Sequence, residues 1–101
     1  MAATDARLSR AAARDLASIW SYGADRWGRD QANAYARRLH DVFSLLASMP
    51  GMGRPLATSS GRLRGHSVEK HIIIFRSEPE GILILRVLSA RQDWLSVIGD
   101  V

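Results

Sequence analysis

The side chains in this sequence that could do chemistry are basic. Five cations (Arg54, Arg62, Arg64, Lys70 and Arg76) fall between residues 54 and 76 against one acid, Glu69. That stretch therefore carries +4, the whole formal net charge, and the other cations and acids cancel. His66 and His71 lie in the same stretch, and Lys70 is the only lysine beside 13 arginines. Guanidinium groups suit planar, two-pronged contact with carboxylates and phosphates. The pattern predicts a contact surface for nucleic acid or an acidic partner protein, or else a sheet edge guarded by charge. One enzymatic use fits these residue types: RNA cleavage, with His66, Lys70, His71, Arg76 and Arg91 supplying a base, an acid and phosphate-binding cations.

Other chemistries are not expected. There is no cysteine among the 101 residues, which excludes a disulfide framework, thiol catalysis and cysteine-ligated metals. His40, His66 and His71 show no metal-ligand spacing, the acids are scattered, and no nucleotide-binding glycine motif is present. No cofactor is expected. No apolar run approaches the ~20 residues that span a bilayer, and the start lacks the apolar core of a signal peptide. The length suits one domain over residues 1–101, in the cytoplasm and not in a membrane. At +4, with no recognition helix, direct binding of this chain to DNA is not expected.

The elements that must position these side chains follow from periodicity. Leu16, Ile19, Trp20, Gly23 and Trp27 form one helical stripe, behind a plausible N-cap at Ser9 and ahead of a stop at Gly28. Trp20 and Trp27, with Tyr22 and Tyr35, are expected in the core. A second stripe runs through Ala32, Tyr35, Leu39, Val42, Phe43 and Leu46 to Met49-Pro50-Gly51. Two helices joined at Gly28 must fold back as an antiparallel hairpin. After the Pro/Gly/Ser-rich stretch 50–61 the period changes. Residues 71–75 and 82–88 read as strands around a five-residue loop, Ser77–Gly81, with a weaker strand near 62–67 and a further edge strand near 5–9.

That loop would set Arg76 opposite Ile82, Ile74 opposite Ile84 and Ile72 opposite Arg86. Both sheet faces would then be apolar, and the helices can cover only one. The second face is expected to be open to a partner, unless a helical turn over residues 93–98 covers it. Arg86 interrupts an apolar strand and needs a counter-charge, for which Glu69 or Asp93 is available. Trp94 would either cap the second face or anchor a partner.

Five stretches together resemble the ParE branch of the RelE/ParE toxin superfamily. They are Leu8-Ser9-x-Ala11-Ala12-x-x-Asp15-Leu16-x-x-Ile19-Trp20, Arg26-Trp27-Gly28-x-x-Gln31-Ala32-x-x-Tyr35, Pro50-Gly51-Met52-Gly53-Arg54-Pro55, Gly65-x-x-x-x-Lys70-His71-x-Ile73-x-Phe75-Arg76 and Ile84-Leu85-Arg86-Val87-Leu88-x-x-Arg91-x-Asp93. The resemblance runs in order from about Leu8 to Trp94. It departs at Ser89, Gln92 and Phe75, where the family more often has His, Arg and Tyr.

The implied fold is α+β: an N-terminal antiparallel helical hairpin on a small, mainly antiparallel β-sheet, with a short C-terminal helical turn. The implied activity is that of a toxin in a type II toxin–antitoxin module. Such a toxin traps the cleaved-DNA complex of DNA gyrase and is not an enzyme. A ParD-type antitoxin would neutralise it with an acidic, amphipathic C-terminal tail, and DNA would be met only through that antitoxin. Arg62, Arg64, Lys70, His71, Arg76, Arg86, Arg91 and Trp94 are the residues expected to bind antitoxin or target. The alternatives are a RelE-type, ribosome-dependent mRNA endoribonuclease and a non-toxic, antitoxin-binding regulatory module.

Overall fold

Ser9 is the pivot on which the chain turns from strand into helix. Its Oγ accepts a hydrogen bond from the Ala12 N–H at 2.9 Å, capping the first helix as its residue type predicts. In the computed structural model, which describes residues 5–56, 62–92 and 96–97, this cap joins β1 (Asp5–Leu8) to α1 (Arg10–Trp27). Gly28 alone then separates α1 from α2 (Arg29–Ser48). At φ +95 it donates its N–H to Ala24 O and accepts from Ala32 N, ending one helix and starting the next. A side chain is strained at that φ, so the hairpin depends on glycine there.

A short 3₁₀ turn (Pro50–Met52) leads into β2 (Arg54–Pro55), β3 (Leu63–Val68), β4 (His71–Glu78) and β5 (Gly81–Ser89). The five strands lie in the order β1-β5-β4-β3-β2, with β1 parallel to β5 and the other pairs antiparallel. This is the expected α+β architecture. Of the C-terminal helical turn expected over 93–98, only Ser96 and Val97 are among the described residues, and both are helical.

The β4–β5 pairing differs from expectation. Glu78 pairs with Gly81, so the loop is the two residues Pro79-Glu80 rather than five. A register shift between Ile74 and Phe75 then sets Ile74 opposite Arg86 and Phe75 opposite Ile84, leaving Leu85 as the extra residue of a β-bulge. The chain around the start of α1 bonds the backbone at and beside the bulge. Ser9 Oγ donates to Leu85 O at 2.8 Å, and the Asp15 carboxylate accepts from Val87 N at 2.9 Å. Gly81 is equally constrained: at φ +144, any Cβ would run into the Asp5 carbonyl of the parallel edge strand.

The bulge also redistributes the two sheet faces. Ile82, Ile84 and Val87 of β5 join Ile73 and Phe75 of β4 against Leu39, Phe43 and Leu46 of α2 and Ala12 of α1. Leu56, Leu63, Ile72, Ile74 and Leu88 form a second cluster on the other side, each at most 8% exposed. The expectation of an open second face is therefore wrong. The end of the Pro/Gly stretch folds back through Leu56, whose N–H bonds Leu63 O, and the face is buried within the chain.

The two tryptophan assignments on α1 need correction as well. The buried positions of α1 are the small residues Ala12 and Gly23, where the helices approach closely, while Trp27 is 58% and Tyr22 57% exposed. Trp20 is half-buried and donates its indole N–H to Asn33 Oδ1 at 2.8 Å.

Candidate partner-binding cleft

A cleft of about 890 Å³ opens between the C-terminal half of α1, the start of α2 and the ends of β4 and β5. Its floor is apolar, with Ile19, Ala32 and Val87, and its walls are polar. The β3–β4 turn contributes Glu69, Lys70 and His71. Antiparallel pairing sets His71 opposite Ser89 and ties Ala90 N to Lys70 O at 2.8 Å, so Arg91 arrives beside the turn. The last two turns of α1 bring Tyr22, Arg26 and Trp27 to the cleft.

Four of the eight expected site residues therefore meet here: Lys70, His71, Arg86 and Arg91. Arg64 does not. Its guanidinium donates to Gly53 O at 2.7 Å and holds the loop before β2. Arg76 lies at the far end of β4, opposite Leu63 of β3, with Glu78 Oε2 at 3.5 Å. Arg62 is exposed just before β3. Trp94 falls outside the described residues. The linear basic stretch is thus divided, because a hairpin carries residues 71 and 76 roughly 17 Å apart along one strand.

Arg86 is not a free cation. Its Nε and Nη2 donate to the two oxygens of Asp15 at 2.8 and 3.0 Å, and this pairing raises its pKa further. The counter-charge comes from α1 and not from Glu69, because α1 packs directly on β5 while Glu69 is engaged elsewhere; Asp93, the other expected partner, lies outside the described residues. Glu69 Oε2 sits 3.1 Å from Arg38 Nε. Both acids of the cleft are thereby neutralised by their own arginines. Arg26, Lys70 and Arg91 have no ion pair among the described residues, so the cleft keeps a positive field.

Tyr35 and His71 lock the β3–β4 turn to α2. Tyr35 Oη lies 3.1 Å from Val68 O and 2.7 Å from His71 Nδ1. The carbonyl can only accept, so the hydroxyl donates to it and the His71 Nδ1–H donates to the hydroxyl. Burial, reinforced by the Glu69 charge, pushes the Tyr35 pKa up to about 12. Burial lowers that of His71, and Glu69 partly opposes the shift. Both groups are neutral near pH 7.

At the rim, the Tyr22 and Trp27 rings meet edge to face with centroids 6.0 Å apart. The Arg26 guanidinium lies over both rings, 5.1 Å from Tyr22 and 5.9 Å from Trp27. Sequence reasoning missed these three residues by assigning the aromatics to the core. The available signal was Ala12 and Gly23 on the same stripe, which mark where helices are too close for large rings. Among the described residues no three His, Asp or Glu side chains converge as a metal site, and no helix is long and apolar enough to cross a membrane.

A helical hairpin on a small, mainly antiparallel sheet is the architecture implied by the five sequence stretches. Comparison with known proteins gives the same answer. The family described as ParE toxin of type II toxin-antitoxin system, parDE, matches residues 6–94. Toxin ParE1 of Caulobacter vibrioides is 39% identical over 82 residues, covering 81% of this chain and 84% of that one. Toxin ParE1 of Mycobacterium tuberculosis is 37% identical over 87 residues, covering 85% and 89%. A solved structure of the chromosomal ParDE TA system from P. aeruginosa superposes with a TM-score of 0.76 at 22% identity, over 88% of this chain and 98% of that one, and so shares the fold. This chain belongs to the ParE toxin family of type II toxin–antitoxin systems.

Proposed function

We propose that this toxin acts on DNA gyrase in the cytoplasm by holding its cleaved-DNA complex, without catalysis of its own, and that a ParD-type antitoxin neutralises it. The observation that carries the antitoxin reading is the cleft, where three cations without carboxylate partners among the described residues surround an apolar floor. An acidic amphipathic helix matches it, with apolar residues on Ile19, Ala32 and Val87 and carboxylates toward Arg26, Lys70 and Arg91. Family membership supports the module, and the structural likeness to a ParDE system supports a ParD-type partner. Gyrase as target rests on the family resemblance.

Two assays test these statements. Purified toxin should inhibit gyrase supercoiling and accumulate cleaved DNA; intact supercoiling at micromolar toxin rejects the target, and mRNA cleavage on translating ribosomes would favour the ribonuclease reading instead. Replacing Lys70 and Arg91 together by Ala should weaken antitoxin binding by about 1.5 to 3 orders of magnitude, since each charge-assisted contact contributes roughly 1–2 kcal/mol. Unchanged affinity would remove the antitoxin from the cleft.

A further inference from the structure

We infer that the same cleft binds a short single-stranded nucleic-acid segment, with bases against Tyr22 and Trp27 and phosphates on Lys70 and Arg91. The expectation that this chain does not touch DNA directly rests on the absence of a recognition helix, which is a requirement for reading duplexes. Single strands need neither helix nor groove. They need flat aromatic faces and a track of cations, because every base has a π-face and every linkage a phosphate. The rim supplies both.

Three observations favour this ligand. Tyr22 and Trp27 are more than half exposed, although rings of that size are usually covered in a small domain. They are held in a fixed edge-to-face arrangement with Arg26 over both, so their orientation is set before any ligand arrives. The cations facing them, Lys70 and Arg91, have no ion pair among the described residues, while Asp15 and Glu69 are each occupied by an arginine. Among the described residues, each carboxylate lining the cleft is already paired with an arginine. An antitoxin helix seated on the floor would claim the same cations, so strand and antitoxin exclude each other. The inference stands apart from the gyrase reading, because a strand can bind whether or not gyrase is the target.

The test is fluorescence anisotropy of a labelled oligothymidylate and an oligouridylate, each about ten nucleotides long, titrated with the purified chain. Micromolar binding of either strand, tighter than that of a duplex of equal length, is expected. Trp27→Ala and Tyr22→Ala should each weaken it about tenfold or more, with Trp27→Phe retaining most of the affinity. Lys70→Ala and Arg91→Ala should each reduce the slope of log K against log salt by about 0.7, the value for one lost single-strand phosphate contact. Since both rings are exposed, their variants should melt as the parent does.

Three results would overturn the inference. One is no binding at about 100 µM chain. Another is full binding in the folded Ala variants of Tyr22 and Trp27, which would leave only bulk charge. The third is a duplex of equal length binding as tightly as the strand, which would leave the rings no part in recognition. A negative gyrase assay would not affect any of these readouts.

Discussion

Replacing Asp15 by Ala should do more damage than its place on a half-exposed helix turn suggests. The carboxylate makes three bonds to β5: two to the Arg86 guanidinium at 2.8 and 3.0 Å and one to Val87 N at 2.9 Å. Val87 N donates to this carboxylate, so losing the acceptor costs about 1–3 kcal/mol, as for an unsatisfied buried donor. Arg86 loses its counter-charge, but its side chain is 30% exposed and can reach water, so this loss sits near the lower end of the range for charged bonds, roughly 1–2 kcal/mol. The sum is about 2–5 kcal/mol. For a domain of this size each kcal/mol moves the melting temperature by about 4–8 °C, so a fall of roughly 10–40 °C is expected.

Urea and thermal melts of Asp15→Ala, Arg86→Met and the double variant measure this directly. Met keeps much of the arginine's volume, and removing both charges leaves only the Val87 donor unpaired. The double variant should therefore be less destabilised than the two singles summed, by at least about 1 kcal/mol. Asp15→Asn, which keeps an acceptor for Val87, should fall about midway. If Asp15→Ala costs under about 0.5 kcal/mol, or the two singles add within about that margin, the carboxylate is not what holds the bulge.

Three further outcomes follow from the same geometry. Gly53→Ala places a Cβ against the Phe75 ring and Arg64 Cβ, and should cost about 1–3 kcal/mol in a urea melt as an overpacked core does; no change would mean that the β2 loop yields freely. His71 is held below its ordinary value of 6.5 by burial, so the unfolded chain takes up the proton more readily. That contribution to stability is intact above about pH 6.5 and is lost as the pH falls toward the folded value; His71→Asn, which keeps a donor toward Tyr35, should flatten the fall between pH 7 and 5 in melts. Arg37→Ala plus Arg76→Ala should leave antitoxin affinity nearly unchanged while Lys70→Ala plus Arg91→Ala lowers it, by calorimetry; equal losses would mean that only net charge matters.

Much of the architecture is legible in the residues. The apolar stripes, Ser9 before the first and Gly28 between them require a helical hairpin, because no other backbone buries residues three and four apart on one side. The β-branched runs after residue 70 require strands, and the family pattern adds their order. Long-range pairing is less local. The β4–β5 register, with its two-residue turn and bulge, depends on Ser9 and Asp15, 76 and 72 residues away from the groups that they satisfy. No window of β5 carries that information. The buried second face likewise depends on Leu56 folding back across it.

The basic stretch shows the same division. The chain's composition, with 13 arginines and one lysine, predicts a contact surface for something acidic. Only the tertiary structure decided which cations are available. Strand length carries Arg64 and Arg76 away from the cleft, and Asp15 occupies Arg86. Pairing of β4 with β5 brings Lys70 to Arg91, and α1 sets Arg26 beside them with two exposed rings. A side chain's type is local to the sequence, but whether its charge is already neutralised depends on which distant residue the fold lays against it.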